Sequence, residues 1–144
     1  VKQKLENDLF PIGQMLKESI PLFNSNYVKK MNVKVTKKNV SWYLKTTAEK
    51  LKIVSKAIEL YKNKERKKID SVVAYTLVLR IRTLYIIERL LKNKKYSKKE
   101  FVKLIREVSG GNESYERYLD VKNNLETGRI DLNVVEKLSD YLDK

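Results

Sequence analysis

Two arginines, Arg80 and Arg82, stand in the middle of an apolar stretch, SVVAYTLVLRIRTLYIIERLL (residues 71–91). Further on, three carboxylates, Glu113, Glu116 and Asp120, recur three and four residues apart around Arg117. A guanidinium never loses its proton and presents a planar fork of donors. It therefore pairs with a carboxylate or holds a phosphate oxygen. At that spacing the carboxylates share one helix face, where they can ligate a metal or pair with Arg80, Arg82 or Arg117. Ion pairing is the favoured reading, because a charge buried without a partner costs several kcal/mol. For the two arginines three readings stay open: a clip between helices, a cleft holding phosphate, and a dimer seam. No metal, cofactor or catalytic residue is expected.

A second group with chemistry is basic. Residues 28–68 hold fourteen Lys and Arg against three acids, whereas residues 112–144 hold five against eight. Lys29, Lys30, Lys34, Lys37, Lys38 and the run Lys62, Lys64, Arg66, Lys67, Lys68 are the candidate phosphate contacts. Tyr27, Trp42 and Tyr43 lie beside them as candidate base-stacking rings. Trp42 has a second reading as a core aromatic, which its place near an amphipathic stripe favours. The net charge of +14 points to an anionic partner or a dipolar, self-associating molecule. A Lys- and Ile-rich chain without cysteine is also typical of heat-adapted organisms.

What is missing restricts the chemistry. With no histidine and no cysteine there is no imidazole base, no Cys/His or Ser/His nucleophile pair, no disulfide and no zinc–thiolate site. The apolar stretch is nearly long enough to cross a bilayer. Each central arginine would cost about 3 kcal/mol there, so a membrane span is rejected. No leader pattern of a basic start, apolar run and small-residue cleavage site is legible, and a cytoplasmic location is expected. The chain opens on Val1, which leaves open a fragment of a longer enzyme.

The elements that must position these residues are helical. Four glycines and two prolines in 144 residues favour helices over a turn-rich β fold. Residues 1–40 read as a broken helix and a connector, with MNVKV (residues 31–35) alternating like a short strand. From Ser41 to about Lys62, Leu44, Ala48, Leu51, Val54, Ile58 and Tyr61 form one apolar stripe. A central apolar helix spans about 70–92, with Asp70 at its start. Ser97 and Glu100 match a capping box before Phe101, Leu104, Ile105 and Val108, and Gly110-Gly111 ends that helix. Asn112 caps a helix turning Tyr115, Tyr118, Leu119 and Leu125 inward. ETGRI is a turn, and Asp131 caps the last helix. The expectation is an all-α, up-and-down bundle of four to five helices over residues 41–144.

The stretches SVVAYTLVLRIRTLYIIERLLKNKKYSKKEF, SYERYLDVKNN and VVEKLSDYL resemble the HEPN-type helical domains that accompany minimal nucleotidyltransferases in archaea and bacteria. The likeness covers roughly residues 40–144, and ESIPLFNSNYVKKMNVKV resembles the segment where such catalytic domains hand over to their helical partner. It implies a helical bundle, commonly a homodimer, that binds nucleic acid or a nucleotide-bearing substrate or pairs with a nucleotidyltransferase. Active ribonucleases of that superfamily place a histidine a few residues after an arginine. Here Arg117 is followed by Asn123, and an amide cannot replace an imidazole as acid or base. The Gly-Ser turn and Asp-x-Asp pair of a nucleotidyltransferase are absent as well. The reading is a non-catalytic binding module, with a structural oligomer or complex subunit as the alternative.

Overall fold

Few breakers leave long uninterrupted helical runs, and helix dominates the computed structural model, which describes residues 2–10, 12–31, 33–125 and 128–144. Three short helices open the chain: α1 (Lys2–Asn7), α2 (Ile12–Glu18) and α3 (Ser25–Lys29). Five longer ones follow: α4 (Lys37–Asn63), α5 (Ser71–Leu91), α6 (Lys98–Ser109), α7 (Glu113–Lys122) and α8 (Leu132–Asp143). Two three-residue strands, β1 (Lys68–Asp70) and β2 (Arg129–Asp131), precede α5 and α8. The protein is all-α apart from this ladder.

The chain divides into two compact units, Val1–Lys45 with Leu84–Ser97, and Thr46–Thr83 with Lys98–Lys144. The first is built on Leu9, Val40, Ile86, Ile87 and Leu90, with Phe10, Val33, Val35, Tyr43, Leu84 and Tyr96 packed against them. The alternation read in MNVKV has its cause here. Val33 and Val35 turn to this cluster while Lys34 stays exposed. The described residues 33–35 pair with no strand, so the expected strand is an extended segment instead. Gly13 permits the close approach of α2. A Cβ there would lie 2.7 Å from the Leu9 side chain and 3.2 Å from Val33.

Asn39 closes this unit. It is 3% exposed, and its Nδ2 donates to the carbonyls of Leu5 and Lys34, both at 2.9 Å. Its Oδ1 accepts from the Thr36 amide at 2.9 Å, and its own amide donates to Thr36 Oγ1 at 3.2 Å. This is a capping box with Asn in the usual Glu position. It starts α4 at Lys37, four residues before the expected Ser41. At 27 residues α4 is longer than the 21-residue α5, which fills the place of the expected central helix. The buried stripe of α4 runs through Val40, Thr47, Val54 and Ile58, leaving the expected Leu44 and Ala48 exposed on its flank.

The second unit buries Ala74, Leu77, Val78 and Ile81 of α5 with Phe101 and Ile105 of α6, Tyr118 of α7, and Val135 and Leu138 of α8. Tyr75, Tyr118 and Tyr115 stack in series, with ring centroids 5.5 and 5.8 Å apart. Leu125, expected inside, is 57% exposed, because α7 ends at Lys122 and Asn124 turns the chain with a positive φ of 54°. The ladder pairs Lys68 with Asp131, Ile69 with Ile130 and Asp70 with Arg129. Both isoleucines are fully buried, and each end sets opposite charges across from one another. The Ser71 amide and Oγ both donate to the Gly128 carbonyl, at 3.2 and 2.7 Å. Asp70 Oδ1 accepts from the Val72 amide at 2.8 Å and so caps α5. Asn112 and Asp131 stand at the expected helix starts, yet neither side chain makes a capping bond. Asn112 Oδ1 accepts instead from Arg106 Nε at 2.7 Å.

Asn39→Ala strands two carbonyls and one amide at once. Its expected cost is about 3 kcal/mol in urea denaturation; a loss below about 1 kcal/mol would contradict the role given to this side chain.

Candidate nucleic-acid interface

In the first unit, α3, the segment after it and the first turn of α4 present Lys29, Lys30, Lys34, Lys37 and Lys38, all exposed. Two of these sit against the helix dipole. Lys37 and Lys38 occupy the first turn of α4, which holds no acidic residue. Cations at a helix N-terminus are disfavoured by roughly 0.3–1 kcal/mol each. In the second unit Lys64, Arg66, Lys67 and Lys68 follow the end of α4 and are likewise exposed. The Arg66 amide donates to the Tyr61 carbonyl at 2.9 Å, and its guanidinium lies 5.6 Å from the centre of the Tyr61 ring. Lys62, expected among the phosphate contacts, forms an ion pair with Glu136.

These nine side chains share one property. Lys62, Lys92, Lys103 and Arg117 have carboxylate partners, whereas none of the nine pairs with a carboxylate among the described residues. Among the described residues the acidic end reaches the basic half at Lys62, through Glu136, and leaves these nine without a carboxylate.

The aromatic candidates differ in what they offer. Tyr27 is 60% exposed and Trp42 61% exposed. Trp42 is therefore not a core residue, contrary to the reading favoured from the sequence. It meets Tyr43 edge-on, with centroids 5.0 Å apart, and keeps most of its surface open. Tyr43 is a brace. Its ring packs 4.6 Å from Phe10, and its hydroxyl donates to Asp8 Oδ1 at 2.6 Å. Burial, then the hydrogen bond and the charge of Asp8, raise Tyr43 well above its ordinary value.

Arg80, Arg82 and the α7 carboxylates lie in the second unit. Glu113 and Asp120 flank Arg117 on their own helix, at 4.0 and 3.6 Å. The Arg117 guanidinium also lies beside Gly128. Arg80 is part-buried. Its Nη1 donates to Thr46 Oγ1 at 3.3 Å, and its buried Nε has no hydrogen-bond partner among the described residues. Arg82 is part-buried as well, and Glu116 is exposed. Asn123 caps the C-terminus of α7, its amide donating to the Leu119 carbonyl at 2.9 Å. Among the described residues no group of three His, Cys, Asp or Glu could hold a metal, and no helix is long and apolar enough to cross a membrane.

No protein-family model, curated protein or solved structure matches this chain.

Tyr43→Phe removes a donor from Asp8 and is expected to cost about 1–2 kcal/mol near neutral pH. Folding raises the Tyr43 pKa, so the folded form holds the proton more tightly. The advantage of the parent over Tyr43→Phe is full below about pH 10 and shrinks as pH rises beyond it. Paired urea titrations across that range check this; a gap that widens with pH would contradict it.

Proposed function

We propose that this chain is a non-catalytic helical module of a nucleotidyltransferase system, binding nucleic acid or a nucleotide-bearing substrate through its basic half. The observation that carries the reading is the set of nine exposed basic side chains that have no carboxylate partner among the described residues. Phosphates would supply the missing negative charge. They would also offset the two lysines at the wrong end of α4. Displacing the condensed counterions then adds to affinity. On the HEPN likeness, Asn123 stands where an active ribonuclease of that superfamily would carry its histidine, and an amide cannot take over the acid–base role of that imidazole. The likeness of residues 40–144 to HEPN-type domains supplies the nucleotidyltransferase association.

A second reading, a structural homo-oligomer or complex subunit without nucleic-acid binding, is favoured by one separate observation. Ile20, Leu22 and Phe23 lie within four residues, on either side of Pro21, and are nearly fully exposed, Phe23 at 89%. Three apolar side chains in water within so short a stretch are what a partner surface would cover.

Titration of single-stranded RNA at several salt concentrations separates the two. Binding should weaken steeply with salt, the logarithm of affinity falling by about 0.7 per phosphate contact per logarithm of salt. Replacing Lys29, Lys30, Lys37 and Lys38 together by Gln should reduce that slope by about 3. Absence of binding at low salt, or a flat salt dependence, would leave only the structural reading.

A further inference from the structure

The first unit contains a cleft of about 580 Å³ lined by Tyr27, Lys30, Met31, Lys34, Asn39 and Glu6, among others. Its size falls within the roughly 300–1,000 Å³ typical of small-ligand pockets. Two lysines, an open aromatic ring and a thioether therefore border one hollow, rather than being scattered over a convex surface.

We propose that this cleft seats one unpaired nucleotide, its base against Tyr27 and Met31 and its phosphate held by Lys30 and Lys34. The proposal deepens the nucleic-acid reading above and rests on it.

Local geometry builds the cleft before any ligand arrives. Asn24, in the left-handed region at φ 53°, starts α3, and its carbonyl accepts from the Tyr27 amide at 2.9 Å. Lys30 is the C-cap of the same short helix, its amide donating to the Asn26 carbonyl at 3.2 Å. Tyr27 and Lys30 are thus three residues apart on one turn and lie on one side of it. Asn39 contributes shape and no ligand contact. Its donors go to the Leu5 and Lys34 carbonyls and its oxygen to the Thr36 amide. The side chain that is fully committed thereby ties α1 to the segment that carries Lys34.

The chemistry of the remaining wall fits a base better than a bare anion. Glu6 would repel a phosphate placed against it, but as an acceptor-only group it can take N–H donors from a base edge. Stacking on tyrosine tolerates any base, because every base has a π-face. A base inside a duplex offers neither its face nor its pairing edge. The cleft consequently selects single strands, whereas lysines on an open surface would not.

The test uses the full chain with three probes: a 12-nucleotide oligo(A), a blunt RNA duplex of equal length, and AMP. The expected result is tighter binding of oligo(A) than of duplex. Tyr27→Ala should weaken oligo(A) by about tenfold and leave the duplex unchanged, and Tyr27→Phe should restore binding. Because Tyr27 is largely exposed, circular dichroism of the alanine variant should match the parent. Binding of AMP that is lost in Lys30→Ala/Lys34→Ala would identify a free nucleotide as occupant; oligo(A) binding without AMP binding would identify a nucleotide within a strand. Equal affinity for strand and duplex, or indifference to Tyr27→Ala, overturns the cleft while leaving the basic-surface reading intact. No binding of any probe at low salt overturns both.

Discussion

The girth of α5 constrains everything around it. Its residues are apolar on nearly every side, so the helix cannot lie against a single partner face with its back to water. Ala74, Leu77, Val78 and Ile81 are buried in the second unit, and Ile86, Ile87 and Leu90 in the first. Each large side chain fully buried contributes about 1.5–3 kcal/mol. The other helices are obliged to offer apolar stripes, and their lysines are left on outward faces. The exposed basic surface is in this sense a consequence of core demand as well as of charge count.

Arg80 marks the limit of that demand. It keeps its charge within an otherwise apolar helix, and its one described hydrogen bond is to the Thr46 hydroxyl. The carboxylates that the sequence offered as partners, Glu113 and Asp120, are drawn to Arg117 at helical spacing on their own helix. A neighbour three or four residues away on one helix needs no folding partner to be in reach, and that proximity is sufficient here.

The elements most legible in the sequence were those with long, regular periodicity. α5, α6 and α8 lie close to where their apolar spacing put them. Short elements were not legible. The ladder of Lys68–Asp70 with Arg129–Asp131 has only one inward residue per strand, Ile69 and Ile130, too few for alternation to show. A signal was present nonetheless: Lys-Ile-Asp and Arg-Ile-Asp each stand directly before a helix. The early start of α4 was hidden because Asn39 replaces the Glu expected in a capping box. Of the site, the basic residues were legible by count. That Lys62 would find Glu136 while the other nine have no carboxylate among the described residues was not, since pairing depends on where folding leaves the carboxylates. The opposite fates of Trp42 and Tyr43 were hidden for the same reason: neighbours in sequence, they face different surroundings, and only Tyr43 reaches Phe10 and Asp8.

On the proposed function, polyanions would meet this chain at the lysines that have no carboxylate partner among the described residues, and nowhere on its acidic end. Backbone amide hydrogen exchange, with and without a saturating single-stranded oligonucleotide at low salt, addresses that claim directly. Added protection should be confined to residues 24–38 and 62–68, with α7 and α8 unchanged. Protection centred on α7 or α8, or confined to residues 15–23 and growing with protein concentration in the absence of nucleic acid, would contradict it.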